Sequence, residues 1–324
     1  MKTIQKKISN KIYTYSSIIK ELNISQTEIN IQNIEYKKQN IELINKDQIT
    51  CGLSGDKVYK LFYTKDYIFI LKSSIMKISK LPTEKDFLKY LVFKNKYSLL
   101  RELINNIILA KSKKYDFFPT MIKYNIQYIN ANKNIQIDIL YEYIKGFNIK
   151  DIIINNPINI TKKDYIYMYY EFFTNLHLLY NKYEFIHNDF KDDNMIIKIN
   201  KKNKPQIFII DFGSAIIKNI PFKTLRTQIQ NKFHNHYKIY YKFKSKSYNN
   251  RTLKQIKNNT NKSHIISSDI KFILITFIQG YRHLFGNSSD IDFTTVNIKN
   301  INNINDYGKK LEYIITKIKN IKLN

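Results

Sequence analysis

The segment His187-Asn188-Asp189-Phe190-Lys191-Asp192-Asp193-Asn194 is the most informative stretch of the chain, and Asp211-Phe212-Gly213 follows it a short distance later. Two apolar runs, at 195–199 and 207–210, lie between these segments and are separated by a polar turn at 200–205. Short apolar runs bounded by turn residues predict buried strands. We therefore expect two polar loops that are joined by two short strands.

The residue types in the two loops suit phosphoryl transfer, which needs positioned charge more than covalent help from the protein. Asp189 lies in a loop, where its carboxylate can accept the hydroxyl proton of a phosphoryl acceptor. Asn194 can offer its amide oxygen to Mg²⁺, and Asp211 can supply the anionic ligand that bridges the metal to the phosphates. Gly213 gives the backbone freedom beside that aspartate.

The two segments resemble, in the same order, the catalytic loop His-x-Asp-x-Lys-x-x-Asn and the Asp-Phe-Gly motif of the protein kinase superfamily. The resemblance implies that Asp189 is the catalytic base, and that Asn194 and Asp211 are the metal ligands. Lys191 matches the lysine with which serine/threonine kinases neutralise the transferring γ-phosphate, and small-molecule kinases of this fold usually lack it. The resemblance therefore favours an ATP- and Mg²⁺-dependent serine/threonine protein kinase.

Upstream residues extend the resemblance, which covers roughly residues 50–280. Lys72 ends a β-rich run and matches the third-strand lysine that holds the α- and β-phosphates. Glu102 lies in a helical stretch and matches the helix glutamate that pairs with this lysine. Glu84 is the alternative partner, because 30 residues separate Lys72 from Glu102 and only 12 separate it from Glu84. We prefer Glu102, since its helix leads directly into the next predicted strand.

The expected nucleotide site continues in a hinge and in a glycine-containing turn. The run at 139–146 resembles the kinase hinge, and the turn at 51–56 stands where the phosphate loop is expected. The residues that the resemblance assigns to the nucleotide here are Gly52, Ser54, Gly55, Val58, Glu142 and Ile144. The turn departs from the family pattern, since Cys51, Leu53 and Asp56 stand where three glycines are expected. It is also similar to the turn of choline and aminoglycoside kinases, which phosphorylate small molecules.

Three further positions bear on the family pattern. His177 stands where the helix before the catalytic loop often carries a histidine, and Asp269 resembles the aspartate that braces the catalytic-loop backbone. Asn188 replaces the arginine that senses a phosphorylated activation loop, so the resemblance implies activity that does not depend on such phosphorylation. No Ala-Pro-Glu motif closes the activation segment, which puts the docking of a peptide substrate in question.

The chain as a whole is expected to be of the α+β class, with a β-rich first half and a helical second half. The resemblance implies a bilobal protein-kinase-like fold, with a small β-rich N-lobe at 49–143 and an abbreviated, mostly helical C-lobe at 144–324. Residues 1–48 show no turn signal and are expected to form a leader that is helical or partly ordered. The residue patterns predict strands at 58–62 and 67–72, a hairpin over 121–143, and helices over 83–112, 164–183 and 269–277.

The charge is strongly basic, with 54 Lys and Arg against 26 Asp and Glu and a formal net charge of +28. Residues 214–268 are expected to form a basic insertion in the activation segment. Twelve basic residues with interleaved tyrosines lie in its 218–262 part, without Asp or Glu. This part could recruit acidic or already phosphorylated protein substrates, or nucleic acid. The alternatives are a solvated insertion, and a composition that is set by an AT-rich genome.

The remaining composition excludes several classes of protein. One cysteine cannot form an internal disulfide or a cysteine-based metal site. No segment resembles a secretory signal or a membrane-spanning helix, so we expect an intracellular, cytoplasmic protein. The compressed C-lobe, the minimal loops and the AT-rich character of the sequence resemble kinases of large DNA viruses such as poxviruses. A viral kinase would be located in the host cytoplasm or in the virion. Oligomeric state stays open, and a pseudokinase or nucleic-acid-binding scaffold is the alternative to an enzyme.

Overall fold

The protein is a mixed α+β chain, and a computed structural model provides its coordinates. The structure describes residues 22, 29–51, 56–76, 98–110, 117–129, 134–187, 189–200, 203–215, 217, 265–286, 301, 304 and 306–321. The strands in these ranges are β1 (Asn33–Tyr36), β2 (Gln39–Cys51), β3 (Lys57–Tyr63), β4 (Tyr67–Met76), β5 (Met121–Ile129), β6 (Asn134–Glu142), β7 (Phe147–Asn148), β8 (Met195–Ile199) and β9 (Pro205–Ile209). The helices are α1 (Ser98–Ala110), α2 (Ile149–Asn155), α3 (Lys162–Tyr183), α4 (Ile265–Phe285) and α5 (Tyr307–Lys319).

A six-stranded antiparallel sheet has the order β1-β2-β3-β4-β6-β5. Side chains alternate between its faces, so Leu71 of β4 packs into a small apolar cluster while Met76 packs into the main core. Lys72 lies in the middle of β4, and not at its end as expected. Its cross-strand neighbours are Val58 of β3 and Ile139 of β6. The sheet therefore holds Lys72 from both sides.

The expectation of a helical or partly ordered leader over 1–48 is wrong for residues 33–48, which form β1 and most of β2. Lys37 and Lys38 both have positive φ values, of 50° and 61°, and connect the two strands. Such a two-residue turn normally contains Asn or Gly, so the sequence carries no turn signal here. Buried Ile34 and Ile41, paired across the hairpin, stabilise it instead. Residues 1–21 and 23–28 lie outside the described residues.

The second predicted hairpin and the long helix are present. Strands β5 and β6 pair in antiparallel fashion over most of the predicted 121–143 range. Helix α3 begins after Thr161, whose hydroxyl accepts a hydrogen bond from the backbone N–H of Asp164. It ends at Glu184, which has a left-handed backbone conformation. The fully buried side chains of Phe185 and Ile186 follow directly and anchor the start of the first polar loop.

A small sheet of order β7-β8-β9 brings the two polar loops together. Met195 at the start of β8 pairs with Ile209 at the end of β9. One residue further out, the N–H of Ile210 donates to the carbonyl oxygen of Asn194 at 3.1 Å. Asn194, directly before β8, and Asp211, shortly after β9, therefore lie at the same end of one β-hairpin.

Helix α4 contains the predicted 269–277 helix and lies in the main core. Ile273, Phe277 and Tyr281 are fully buried on it. Tyr165 of α3 donates its hydroxyl hydrogen to backbone carbonyls of α4. Among the helices that the structure describes, none combines the length and the apolar character needed to cross a membrane.

The β1–β2 hairpin is joined to the end of β6 by a side-chain hydrogen bond, in which the Tyr36 hydroxyl donates to a carboxylate oxygen of Glu142. Replacing Tyr36 with Phe removes this partly buried bond, and we expect a loss of about 1 kcal/mol in the free energy of unfolding, measured with urea. Tyr67→Phe is the matched control, because the Tyr67 ring packs edge-on against Tyr36 with centroids 5.0 Å apart. Equal losses in the two variants would contradict a specific role for the Tyr36 bond.

Candidate active site

A buried ion pair joins the large sheet to helix α1. The ammonium group of Lys72 lies 2.8 Å from Oε1 and 2.9 Å from Oε2 of Glu102. The side chains are 17% and 5% exposed. The structure thus brings together the pair preferred from the sequence, while the alternative partner Glu84 lies outside the described residues. Burial opposes the charge on Lys72, but the adjacent carboxylates of Glu102 and Asp211 raise its pKa overall.

Two residues that the sequence analysis did not single out complete the surroundings of Glu102. The hydroxyl of Tyr141 donates to Oε1 of Glu102 at 3.1 Å. The amide of Asn106 donates to the Tyr141 hydroxyl at 2.9 Å and to the Glu102 backbone carbonyl at 2.8 Å. Burial raises the pKa of Glu102 to about 7, although Lys72 and Tyr141 act in the opposite direction. Glu102 is therefore held by one cation and one hydroxyl.

Asp211 approaches the same lysine from the second polar loop. Its Oδ1 lies 3.7 Å from Nζ of Lys72, and its side chain is 38% exposed. The residue has a left-handed backbone, with φ 66° and ψ 73°, before a 3-10 turn at 212–214. Burial would raise the pKa of Asp211, but Lys72, Lys191 and the backbone N–H of Gly213 lower it overall. Asp211 is therefore ionised near neutral pH.

The first polar loop forms a compact polar cluster around Asp189. The ammonium group of Lys191 donates to Oδ2 of Asp189 at 3.0 Å. The amide nitrogen of Asn194 donates to the same oxygen at 3.1 Å and to the Asp189 carbonyl at 2.9 Å. Burial raises the pKa of Asp189, and the charge of Asp211 raises it further against the effect of Lys191. Lys191 lowers the pKa of both Asp189 and Asp211, so the two loops face one site.

Buried contacts fix the shape of that loop. The His187 ring stacks on Phe190 with centroids 4.5 Å apart, and its Nε2 lies 3.0 Å from the carbonyl oxygen of Ile210. Burial lowers the pKa of His187 to about 4, so the ring is neutral at pH 7. Nε2 then carries the proton, because a carbonyl oxygen only accepts. Asp269 of α4 accepts the N–H of Phe190 at 3.5 Å, the contact that the sequence suggested for this residue.

The segment predicted as a hinge has an available backbone donor at Ile144. The N–H of Glu142 donates to the carbonyl of Thr120, and the N–H of Tyr143 donates to the carbonyl of Ile68. In the described part of the chain, no residue accepts a hydrogen bond from the N–H of Ile144. The backbone N–H of Ile144 is therefore available to a ligand.

Among the remaining predicted site residues, some lie in the described part of the chain and others do not. Gly52, Ser54 and Gly55 of the expected phosphate turn lie outside the described residues. Val58 is described and stands opposite Lys72 in the β3–β4 ladder. His177 lies on α3, with its Nε2 3.5 Å from a carboxylate oxygen of Glu312 on α5 and 3.1 Å from the amide nitrogen of Asn181. Its recorded polar contacts are therefore with helices α3 and α5.

The donor set fits a magnesium ion that is held mainly by phosphates. The hydrogen bonds of the Asn194 side chain use its amide nitrogen, and no described residue donates to its Oδ1. Asp211 is an ionised, partly exposed carboxylate. Mg²⁺ is usually bound through one or two carboxylates together with substrate phosphates. Across the described ranges no group of three or more His, Cys, Asp or Glu side chains could hold a metal. The candidate ligands are the amide oxygen of Asn194 and the carboxylate of Asp211.

Replacing Lys72 with Met should make stability depend on pH. Without the ammonium group, the pKa of buried Glu102 will rise beyond about 7, while its ordinary value is 4.5. An acid whose folded pKa is raised loses stability as pH increases. We expect Lys72→Met to reduce the free energy of unfolding by about 3 kcal/mol at about pH 8, and by much less at about pH 5.

The control for this pH dependence is the double variant Lys72→Met/Glu102→Gln, which removes the titrating group. Because the wild type itself loses stability as Glu102 ionises, urea unfolding should show that the double variant loses no more stability relative to the wild type at about pH 8 than at about pH 5. A pH-independent loss in the single variant would contradict the assignment of a raised Glu102 pKa.

The structure therefore gathers Lys72, Glu102, Asp189, Asn194 and Asp211 into one partly buried site at the junction of the large sheet, α1 and the small sheet. Comparison with models of protein families and with curated proteins gave no match for this chain. The functional assignment consequently depends on these residues and their geometry.

Proposed function

We propose that the protein is an ATP- and Mg²⁺-dependent phosphotransferase of the protein kinase superfamily, and that it transfers the γ-phosphate to a serine or threonine hydroxyl of a protein. One observation carries this proposal. Lys72 contacts both Glu102 and Asp211, and Lys191, which is hydrogen-bonded to Asp189, lowers the pKa of both Asp189 and Asp211. A nucleotide-binding cation, a metal-binding carboxylate and a base are thereby within one site, as phosphoryl transfer requires.

Each residue of the site has its own role in the proposed reaction. Lys72 and the N–H of Ile144 bind the nucleotide, and Glu102 orients Lys72. Asn194 and Asp211 would hold Mg²⁺, which neutralises charge on the phosphates when it is bound. Asp189 orients the acceptor hydroxyl and takes its proton as the new bond between oxygen and phosphorus forms and the bond to the ADP oxygen breaks.

Lys191 supports the choice of a protein acceptor. Its ammonium group is 3.0 Å from the candidate base, so it can neutralise charge on the transferring group beside that base. Burial opposes the charge of Lys191, but Asp189 and Asp211 raise its pKa overall, which keeps it cationic. The basic 218–262 segment, which we propose as the docking region for an acidic or phosphorylated substrate, lies outside the described residues.

We also propose the bilobal architecture that this function implies. The six-stranded sheet with α1 would be the smaller lobe, and helices α2 to α5 with the small sheet would be the larger one. The segment that follows β6, with Ile144, would be the hinge between them. The antiparallel sheet and the position of α1 beside Lys72 support this arrangement.

An acceptor panel tests the proposal. The purified protein is incubated with Mg²⁺ and γ-labelled ATP, together with an acidic protein, a basic protein, or small amines such as choline and an aminoglycoside. Label on serine or threonine of a protein supports the proposal, and label on a metabolite alone would make it a small-molecule kinase. A thermal shift with DNA but none with Mg²⁺ and ATP would favour a nucleic-acid-binding scaffold.

A further inference from the structure

Helix α1 holds the turn that follows Asp211 by side-chain hydrogen bonds. The amide nitrogen of Asn105 donates to the carbonyl oxygens of Phe212 and Ala215, both at 3.0 Å. Nε of Arg101 donates to the carbonyl oxygen of Gly213. Asn105 is fully buried and Arg101 is 5% exposed. Three backbone carbonyls within four residues are therefore bound by one helix.

The same helix also holds the other end of the site. Arg101 and Asn105 are one turn apart and face the 212–215 turn, while Glu102 and Asn106 are one turn apart and face Lys72 and Tyr141. The two pairs are adjacent along the helix. Helix α1 therefore fixes the positions of both Lys72 and the turn that follows Asp211.

The turn needs such support because of its backbone. Asp211 has φ 66°, in the left-handed region that residues other than glycine seldom adopt. Inside the turn, the structure records the bond from the Ala215 N–H to the Phe212 carbonyl, at 3.1 Å. Strained conformations of this kind persist only when surrounding contacts determine them. Buried amide and guanidinium donors aimed at the turn supply those contacts.

We infer that Asn105, together with Arg101, is a positioning residue for Asp211, and that it fixes the 211–215 turn before any nucleotide binds. A packing role alone would be met by leucine, which is common elsewhere on this helix. The bonds of Asn105 instead go to the backbone that flanks the candidate metal ligand. This inference depends on the proposed function only in giving Asp211 the role of a metal ligand.

The first test needs no catalysis. Hydrogen exchange of the backbone amides at 213–215 is measured in the nucleotide-free wild type and in Asn105→Leu. We expect exchange of these amides to become about tenfold faster or more in the variant, because the turn opens more often. Asn125→Leu is the matched control: Asn125 is a buried asparagine of β5 whose amide nitrogen has no partner in the described part of the chain. Unchanged exchange in Asn105→Leu would overturn the inference.

The second test measures the metal dependence of phosphoryl transfer. Asn105→Leu should raise the Mg²⁺ concentration for half-maximal activity by about tenfold, while the KM for the acceptor stays the same, since a group that orients a metal ligand is lost. Asn105→Gln, which keeps an amide donor, should recover part of this effect. An unchanged Mg²⁺ dependence, or the same change in Asn125→Leu, would overturn the inference.

Two further outcomes separate this inference from the proposed function. If the wild type transfers no phosphate, the proposed function fails, and the hydrogen-exchange result still decides whether Asn105 fixes the turn. If Asn105→Leu does not fold, the milder Arg101→Lys replaces it, because it keeps the charge and loses the Nε donor to Gly213. Faster exchange at 213–215 is then expected in Arg101→Lys, and wild-type exchange there would overturn the inference.

Discussion

Replacing Asp189 with Asn should lower the rate of phosphoryl transfer by about 10²- to 10⁴-fold and leave nucleotide binding intact. The variant loses the carboxylate that takes the acceptor proton, but Asn keeps the size of the side chain and accepts from Lys191 and Asn194 through its amide oxygen. The turnover rate is measured with γ-labelled ATP, and nucleotide binding is measured by the thermal shift with Mg²⁺ and ATP.

Asp193→Asn is the matched control for this prediction. Asp193 lies four residues further along the same loop and is exposed, so the substitution makes the same change in charge without removing a hydrogen bond of the cluster around Asp189. We expect activity near that of the wild type. An equal loss in Asp193→Asn, or full activity in Asp189→Asn, would contradict the assignment of the base.

The pH dependence of turnover follows from the ionisation of Asp189. Asp189 must be ionised to accept a proton, and burial raises its pKa above the ordinary value. Activity should therefore be present above this raised pKa and fall as the pH decreases through it. The free enzyme should show the step in kcat/KM at a pH above the ordinary range of an aspartate.

Replacing Asp211 with Asn is expected to reduce activity by about 10²- to 10³-fold, since a metal ion stabilises the transferring charge by several kcal/mol. The requirement for Mg²⁺ should rise as well, because an amide is a weaker ligand for this ion than a carboxylate. Activity is measured over a series of Mg²⁺ concentrations at saturating ATP. Lys72 also loses one of its two carboxylate neighbours in this variant.

Asp66 provides a control that matches the backbone of Asp211. Both aspartates have positive φ, at 58° and 66°, and asparagine tolerates this region well. Asp66 is exposed between β3 and β4, so Asp66→Asn should leave activity unchanged. If Asp211→Asn kept both its activity and its Mg²⁺ requirement, Asp211 would not be a metal ligand.

The local elements of the fold could be predicted where apolar spacing and turn residues agree. The β5–β6 hairpin, α3 and the strands on either side of the 200–205 turn were of this kind. The β1–β2 hairpin could not be predicted, because its turn consists of Lys37 and Lys38 without glycine or asparagine. Its stability comes from the buried pair Ile34 and Ile41 and from contacts with distant residues, such as the bond from Tyr36 to Glu142.

The candidate site likewise contains residues that could be predicted from the sequence and residues that could not. Its charged residues occur in short motifs with recognisable spacing, whereas Asn105, Asn106 and Tyr141 have no such pattern. On α1, the polar residues Arg101, Glu102, Asn105 and Asn106 form a stripe that helical periodicity alone would assign to solvent. All four are buried in the structure. Four polar positions at this spacing in an apolar helix are the signal that points to a buried polar site.

The central claim is that this site transfers the γ-phosphoryl group of ATP to a hydroxyl of a protein. The most direct measurement compares two parallel reactions of the wild type with Mg²⁺, one with ATP labelled at the γ-phosphorus and one with ATP labelled at the α-phosphorus, followed by analysis of the labelled amino acids. The account predicts label from the γ-position on serine or threonine, and none from the α-position. Incorporation of the α-label, or no incorporation of either label into any protein offered, would contradict it.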